Sequence, residues 1–362
     1  MTAAPATAAE LIDTAVAAGV MPGAVLVAGL RDPEPRLRHV AGDAQHDDAA
    51  RRPMTADTVF DLASLTKLVA TTSCVLYLIG RGQVGLDAAA RRYLAAFAGP
   101  GKDEVTVRHL LAHVAGLPDQ RRYYQFLSGA DEVRAAALAE PLVARPGRAV
   151  CYSDIGFIVL GELAAAVAGC GLDDLVQQVV CAPLGLAATR YRPPAPWAGR
   201  TAATEIVGGA AKVGVVHDEN AEMLGGVAGH AGLFGTAGDL ARYAALWAGE
   251  GPPSPGLAGL PGLPGLAGLR AEALRSQTEG LGGRRGLGWG LRHDRWDNMG
   301  PGWPESGAGH TGFTGTSLSV DPDSGLWAVL LTNAVHFGRG PEHSVVGLRK
   351  QVHAAVAAEL LG

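Results

Sequence analysis

Strand-like and helix-like patterns are segregated along this chain, and that segregation limits its fold more than any other feature. Near the start, GAVLVAGL (residues 23–30) is a short continuous apolar run behind the Pro22-Gly23 turn, and it reads as a buried strand with RLRHVAGDA as its hairpin partner. Near the end come three more strand candidates, GLGWGLR, HTGFTGTSLSVD and GLWAVLLTNAV. The turn PDSG between the last two predicts a hairpin. From Val59 to about Leu281 the signals are mostly helical. SLTKLVATTSCVLYLIGRG is periodic up to Gly80-Arg81-Gly82, and TVRHLLAHVAGLP stops at Gly116 and Pro118. IGFIVLGELAAAVAG and LDDLVQQVVCAPLG read as a helix pair broken by Gly169 and Gly171, and AGDLARYAALWAG as a helix with Asp239 in its first turn. Residues 341–361 read as a closing helix. Strands at both ends with helices between them predict one sheet assembled from both termini, with a helical lobe inserted. The sheet domain is expected over 1–60 and 285–362, and the lobe over 61–284.

With 362 residues, 48% of them apolar and 18% charged, the chain is long and apolar enough for two packed lobes rather than disorder. The net charge of −5 gives no basic surplus, so neither nucleic acid nor an anionic membrane is an expected partner. MTAAPATAAELIDTAVAAGV carries Glu10 and Asp13 and no basic start, so it reads as an amphipathic helix and not as a signal peptide. No apolar run is expected to reach the ~18 residues of a membrane span. Cys74, Cys151, Cys170 and Cys181 show no Cys-x-x-Cys spacing and are expected to be buried thiols in a reducing, cytoplasmic setting. Residues 251–269, rich in Gly, Pro and Leu, read as a long surface loop without regular structure.

Three short stretches carry chemistry. In the first, Ser64 and Lys67 are three apart in an apolar helical stretch of a chain with only four lysines. Residues i and i+3 share a helix face, so hydroxyl and amine can meet. A serine hydroxyl needs a base to become a nucleophile. A lysine serves as that base only when neutral, which at pH 7 costs about 4.6 kcal/mol against its ordinary value. The second stretch places Tyr152 two residues before Asp154 at the start of a helix, where Ser153 or Asp154 reads equally as an N-cap. The third places His310, Thr311 and Gly312 on a strand, where the glycine allows either close approach of another group or a bulge.

In this order and spacing, Ser-x-x-Lys, Tyr-x-Asp and His-Thr-Gly resemble the motifs of the serine β-lactamase and penicillin-binding protein superfamily. The class C β-lactamase-like branch, with its esterases, D-amino-acid peptidases and transesterases, is the nearest likeness. TVRHLLAHVAGLP, VVCAPLGLAATRY and GGVAGHAGLFGTAGDLARYAALW resemble three further family stretches, so the likeness covers nearly the whole chain. The resemblance implies an α/β (α+β) fold, an antiparallel sheet flanked by helices plus an inserted, mainly helical lobe, with the active site between them. It implies Ser64 as a nucleophile that forms an acyl-enzyme, Lys67 as its partner base and Tyr152 as second base or proton shuttle. It also implies an oxyanion hole from the backbone N–H groups of Ser64 and Phe313, and His310, Thr311 and Gly312 lining the cleft. No cofactor or metal is expected.

Two departures from the family pattern shape the expected activity. Asp154 stands where asparagine is usual, and a carboxylate beside Lys67 favours the ammonium, which leaves Tyr152 as the working base. His310 stands where lysine is usual, and a mostly neutral histidine attracts a substrate carboxylate less well. The expected function is therefore esterase-like hydrolysis of a small-molecule ester or amide. The alternatives are acyl transfer in small-molecule biosynthesis, a β-lactamase or D-amino-acid peptidase, and a non-catalytic sensor that is acylated without turnover.

Other clusters carry less. His217, Asp218, Glu219 and Asn220 are consecutive and cannot easily converge on one ion, so loop hydrogen bonding or a place at the cleft edge is expected. His109 and His113 fit core packing better than a ligand pair. GGVAGHAGLFG lacks the lysine of a phosphate loop. Trp289, Trp296 and Trp303 read either as pocket wall or as ordinary packing.

Overall fold

The computed structural model of the chain describes residues 5–249 and 266–362. Among these residues the strands are β1 (Gly23–Leu30), β2 (Leu37–His46), β3 (Arg51–Pro53), β4 (Phe60–Asp61), β5 (Arg190–Tyr191), β6 (Ile206–Val207), β7 (Ala210–Ala211), β8 (Leu233–Gly235), β9 (Gly290–Leu291), β10 (Ala308–Thr311), β11 (Ser317–Val320) and β12 (Leu326–Thr332). Seven of them form an antiparallel sheet in the order β3-β2-β1-β12-β11-β10-β9, so strands from opposite ends of the chain meet at its centre. The expected hairpins β1–β2 and β11–β12 are both present.

Alternation along the two central strands sorts their side chains onto two faces. Ala24, Leu26 and Ala28 of β1, with Leu326, Ala328 and Leu330 of β12, pack on the terminal helices Ala8–Ala17 and Val346–Leu361 through Ile12, Val352 and Val356. Val25 and Val27, with Trp327, Val329 and Leu331, face the helical part of the chain, where the helix Ala237–Ala248 lies against β1, β11 and β12. Each buried Val or Leu contributes about 1.5–3 kcal/mol, so a one-residue slip of β1 on β12 would disrupt both faces at once.

Several expectations need correction. HTGFTGTSLSVD is two strands, β10 and β11, because residues 312–316 form a tight turn closed by Gly312 N–H to Thr316 O at 2.7 Å. The GLGWGLR strand shrinks to Gly290–Leu291. Residues 251–265 of the Gly/Pro-rich stretch lie outside the described residues, but 266–269 open the helix Leu266–Leu274 and are not loop. Residues 341–361 are not one helix, since a 3-10 turn at Pro341–His343 precedes the α-helix Val346–Leu361. The helical stretch Ala63–Gly80 does reach 18 residues and is apolar enough to cross a membrane by length alone, but 78% of it is buried inside the protein as a core helix. All four thiols are free, yet only Cys74 and Cys181 are buried; Cys151 and Cys170 are partly exposed.

Candidate active site

The Ser64 segment is not the uninterrupted α-helix its apolar periodicity predicts. A 3-10 turn (Ala63–Leu65) leads into a π-helical segment (Lys67–Thr72) and then an α-helix (Ser73–Gly80). Tighter winding brings side chains at i and i+3 nearly into eclipse. Here it sets Lys67 Nζ 2.9 Å from Ser64 Oγ. Ala63, just before the serine, has φ +47°, a left-handed conformation that costs a non-glycine residue about 1–2 kcal/mol. Strain of this kind collects at functional sites.

Lys67 is fully buried, and three oxygens lie within 3.0 Å of its ammonium nitrogen. Nζ donates to Ser64 Oγ at 2.9 Å and to the His230 carbonyl at 3.0 Å, and it lies 2.7 Å from Asp154 Oδ1. An ammonium has three donors and no lone pair, so this surround fits the charged form. Burial works against the charge, but Asp154 and Tyr152 together outweigh it and raise the lysine above its ordinary value. The His230 carbonyl reaches Lys67 because two backbones touch where side chains are missing: a Cβ on Gly229 would lie 2.0 Å from Phe157 O, and one on Gly161 2.9 Å from Gly229 Cα. GGVAGHAGLFG thus serves to bring a carbonyl to the lysine.

Tyr152 and Asp154 reach the site from the start of the helix Asp154–Ala168. The N-cap is Ser153, whose Oγ accepts from Gly156 N–H at 3.0 Å, and this leaves the Asp154 carboxylate to Lys67. The Tyr152 ring centre lies 5.0 Å from Lys67 Nζ and 5.6 Å from the Arg285 guanidinium carbon, with the His113 ring at 4.5 Å and the His310 ring at 5.8 Å. His113 is buried in the core beside the site, where its Nδ1 accepts the Ser153 N–H at 2.9 Å, while burial and then Arg285 hold it neutral, well below its ordinary value.

His310, Thr311 and Gly312 form the end of β10 beside the serine turn. Burial, then the charges of Lys67 and Arg285, lower His310 to about 3, so it is neutral at pH 7. Its Nδ1 lies 2.8 Å from the Thr311 carbonyl, which can only accept. The proton is therefore on Nδ1, and the partnerless Nε2 carries a lone pair. Gly312 allows the close approach: a Cβ there would lie 2.7 Å from Leu62 O and 3.2 Å from Ala63 Cβ. Buried Arg349 braces the following turn by donating to Gly312 O at 2.5 Å and Gly315 O at 3.1 Å. The backbone N–H groups of Ser64 and Phe313 make no hydrogen bond among the described residues.

These groups border one cleft of about 890 Å³, lined by Ser64, Tyr152, Asp154, His310, Thr311 and Phe313. Lys67 lies behind the wall. Of the three tryptophans only Trp296 lines the cleft; Trp289 packs on Trp247 at 4.9 Å and Trp303 on His353 at 5.5 Å, both in the interior. His217, Asp218 and Glu219 form part of the rim, and Asp218 Oδ1 holds His230 Nε2 at 2.9 Å. Residues the sequence did not single out include Arg285, buried against Tyr152 and paired with Asp294 at 3.0 Å, and Asp61, three residues before the serine. An acid inside the apolar run VFDLAS is the one local signal for Asp61; a basic residue 133 positions from its tyrosine leaves none for Arg285.

The fold and this cleft define a serine hydrolase. Residues 8–347 match the family model described as Beta-lactamase, and the chain belongs to that family. It is 31% identical to an N-acetylmuramyl-L-alanine amidase of Bacillus subtilis (strain 168), over 90% of this chain and 80% of the relative. It is 30% identical to a putative D-alanyl-D-alanine carboxypeptidase of Escherichia coli (strain K12), over 78% and 70% respectively. Among solved structures, EstCE1, a hydrolase with promiscuous acyltransferase activity, superposes with a TM-score of 0.74 at 23% identity over 96% of both chains. A class C beta lactamase from Rhodobacter sphaeroides gives 0.73 at 21% identity over 98% of this chain and 99% of that one. At these identities the two structures speak for the fold alone.

Proposed function

We propose that this chain hydrolyses an amide or ester bond of a small molecule through an acyl-enzyme on Ser64. The observation that carries the reading is Ser64 Oγ, on the cleft wall, held 2.9 Å from a buried Lys67 that also donates to the His230 carbonyl and pairs with the Asp154 carboxylate. A cationic lysine cannot take the serine proton, but it stabilises the oxygen as that proton leaves. Tyr152, acting as a phenolate between the Lys67 and Arg285 cations, then takes the proton as Ser64 Oγ bonds to the carbonyl carbon. The developing oxyanion is met by the N–H groups of Ser64 and Phe313. Tyr152 returns the proton to the departing amine or alcohol, and a water repeats the sequence in reverse to release the acid and restore Ser64. Esters, with the better leaving group, are expected to be cleaved faster than amides. The amidase and carboxypeptidase names of the relatives make amides of amino acids the first natural substrates to try.

The test follows p-nitrophenol release from p-nitrophenyl acetate and butyrate, and amine release from N-acyl amino-acid amides, with intact-mass analysis of wild type and Ser64→Ala. Turnover by wild type, a transient acyl adduct on Ser64 and a loss of at least about 10³-fold in Ser64→Ala are expected. Equal turnover by Ser64→Ala would overturn the reading.

A further inference from the structure

Asp61 ends β4 and is 2% exposed. Its two carboxylate oxygens bind different segments: Oδ1 accepts from Ala63 N–H at 2.8 Å and Oδ2 from His217 N–H at 2.6 Å. Its own backbone carbonyl accepts from Thr314 Oγ1 at 2.9 Å, and the next carbonyl, of Leu62, accepts from Thr316 Oγ1 at 3.2 Å. One residue therefore ties together the strained turn that carries Ser64, the 217–219 rim of the cleft and the turn that carries Phe313. A buried carboxylate is unfavourable unless hydrogen-bonded, and here the bonds it makes are backbone bonds that join segments far apart in sequence. A serine, threonine or asparagine oxygen could satisfy one such N–H but could not bridge two segments in this way.

Resting on the acyl-enzyme reading, we propose that Asp61 is a positioning residue that sets the Ser64 and Phe313 N–H groups at the spacing a tetrahedral oxyanion requires. The Asp61 side chain is buried and does not line the cleft. It acts on the backbone at Ala63, one residue before the first donor, and through its carbonyl at Thr314, one residue after the second. Donors aimed at charge that develops only in the transition state raise kcat and leave ground-state binding nearly unchanged.

The experiment uses the full chain with Asp61→Asn, Asp61→Ala and Thr314→Val. Melting temperature, kcat and KM on p-nitrophenyl butyrate, and the affinity of phenylboronic acid are measured for each. The boronic acid adds Ser64 Oγ to boron and releases the serine proton to the medium, leaving a tetrahedral anion in the place of the oxyanion. Both Asp61 variants are expected to lose about 10²-fold in kcat and a similar factor in boronate affinity, with KM within about threefold of wild type. Thr314→Val keeps the side-chain shape and removes only the bond to the Asp61 carbonyl; a parallel loss of about 3–10-fold is expected, with the melting temperature lowered by no more than a few degrees. Folded variants that bind the boronate as tightly as wild type would overturn the proposal. So would an unaffected Thr314→Val if the Asp61 variants fail to fold. A Ser64→Ala enzyme that still turns over would instead remove the acyl-enzyme reading, and this inference with it.

Discussion

Asp154 Oδ1 lies 2.7 Å from Lys67 Nζ, and this contact sets the charge of the lysine beside Ser64. Burial alone would drive Lys67 toward the neutral amine, but the carboxylate and Tyr152 reverse the direction. The lysine is therefore held as a cation.

Asp154→Asn should expose that balance. It leaves a buried ammonium without its counter-charge, a change that costs about 3 kcal/mol or less, because Asp154 is itself 25% exposed. Lys67 is raised in the folded protein, so its stabilisation is complete below its ordinary value of 10.5 and is lost only as pH climbs through the raised one. The stability gap between wild type and variant, in which burial is no longer offset by Asp154, should thus be widest near neutral pH and narrow as pH rises toward and through 10.5. The acid limb of kcat/KM should move in the variant. Identical profiles from pH 5 to 9 would count against a cationic Lys67.

Acid should weaken the fold through its buried histidines. His310 and His353 are lowered to about 3, chiefly by burial. A group depressed in this way contributes stability that is complete above its unfolded value, near 6.5, and that drains as pH falls toward the folded value. Each such histidine steepens the loss by up to about 1.4 kcal/mol per pH unit in that window. His353 is away from the cleft, bonded to Ser317 Oγ at 3.0 Å. Denaturant unfolding of His353→Gln at pH 7, 5.5 and 4.5 should show a shallower fall than wild type, and parallel slopes would contradict the assignment.

Two glycine substitutions should behave in opposite ways. At Gly312 a Cβ would lie 2.1 Å from Thr316 Oγ1 and 2.7 Å from Leu62 O, so Gly312→Ala must displace the turn that carries Phe313. A loss of at least about 10²-fold in kcat/KM is expected. Gly347 is exposed in the helix Val346–Leu361 with nothing within 4 Å of a new Cβ, so Gly347→Ala should leave activity intact and raise stability by up to about 1 kcal/mol. Comparable activity in the two variants would show that the 312–316 turn does not need its close approach to the serine turn.

The sequence by itself determined the order of elements and most of the polar residues that meet at the cleft. Apolar alternation and turn residues are local signals, so β1, β2, β12 and the helices around Asp154 and Asp239 were legible from neighbours a few positions away. Ser64 with Lys67, Tyr152 with Asp154, and His310 with Gly312 were legible for the same reason, each pair being two or three residues apart. Tertiary structure decided how those pairs meet and what charge they carry. The His230 carbonyl reaches Lys67 across 163 residues, Asp61 holds His217 across 156, and Arg285 stacks on a tyrosine from another segment. Backbone donors and acceptors are the same at every position, so no residue type announces which carbonyl will face a buried ammonium. The winding of 63–72 into 3-10 and π turns and the split of β10 from β11 depend likewise on close backbone contacts at Gly229 and Gly312, which form only when distant parts of the chain pack together.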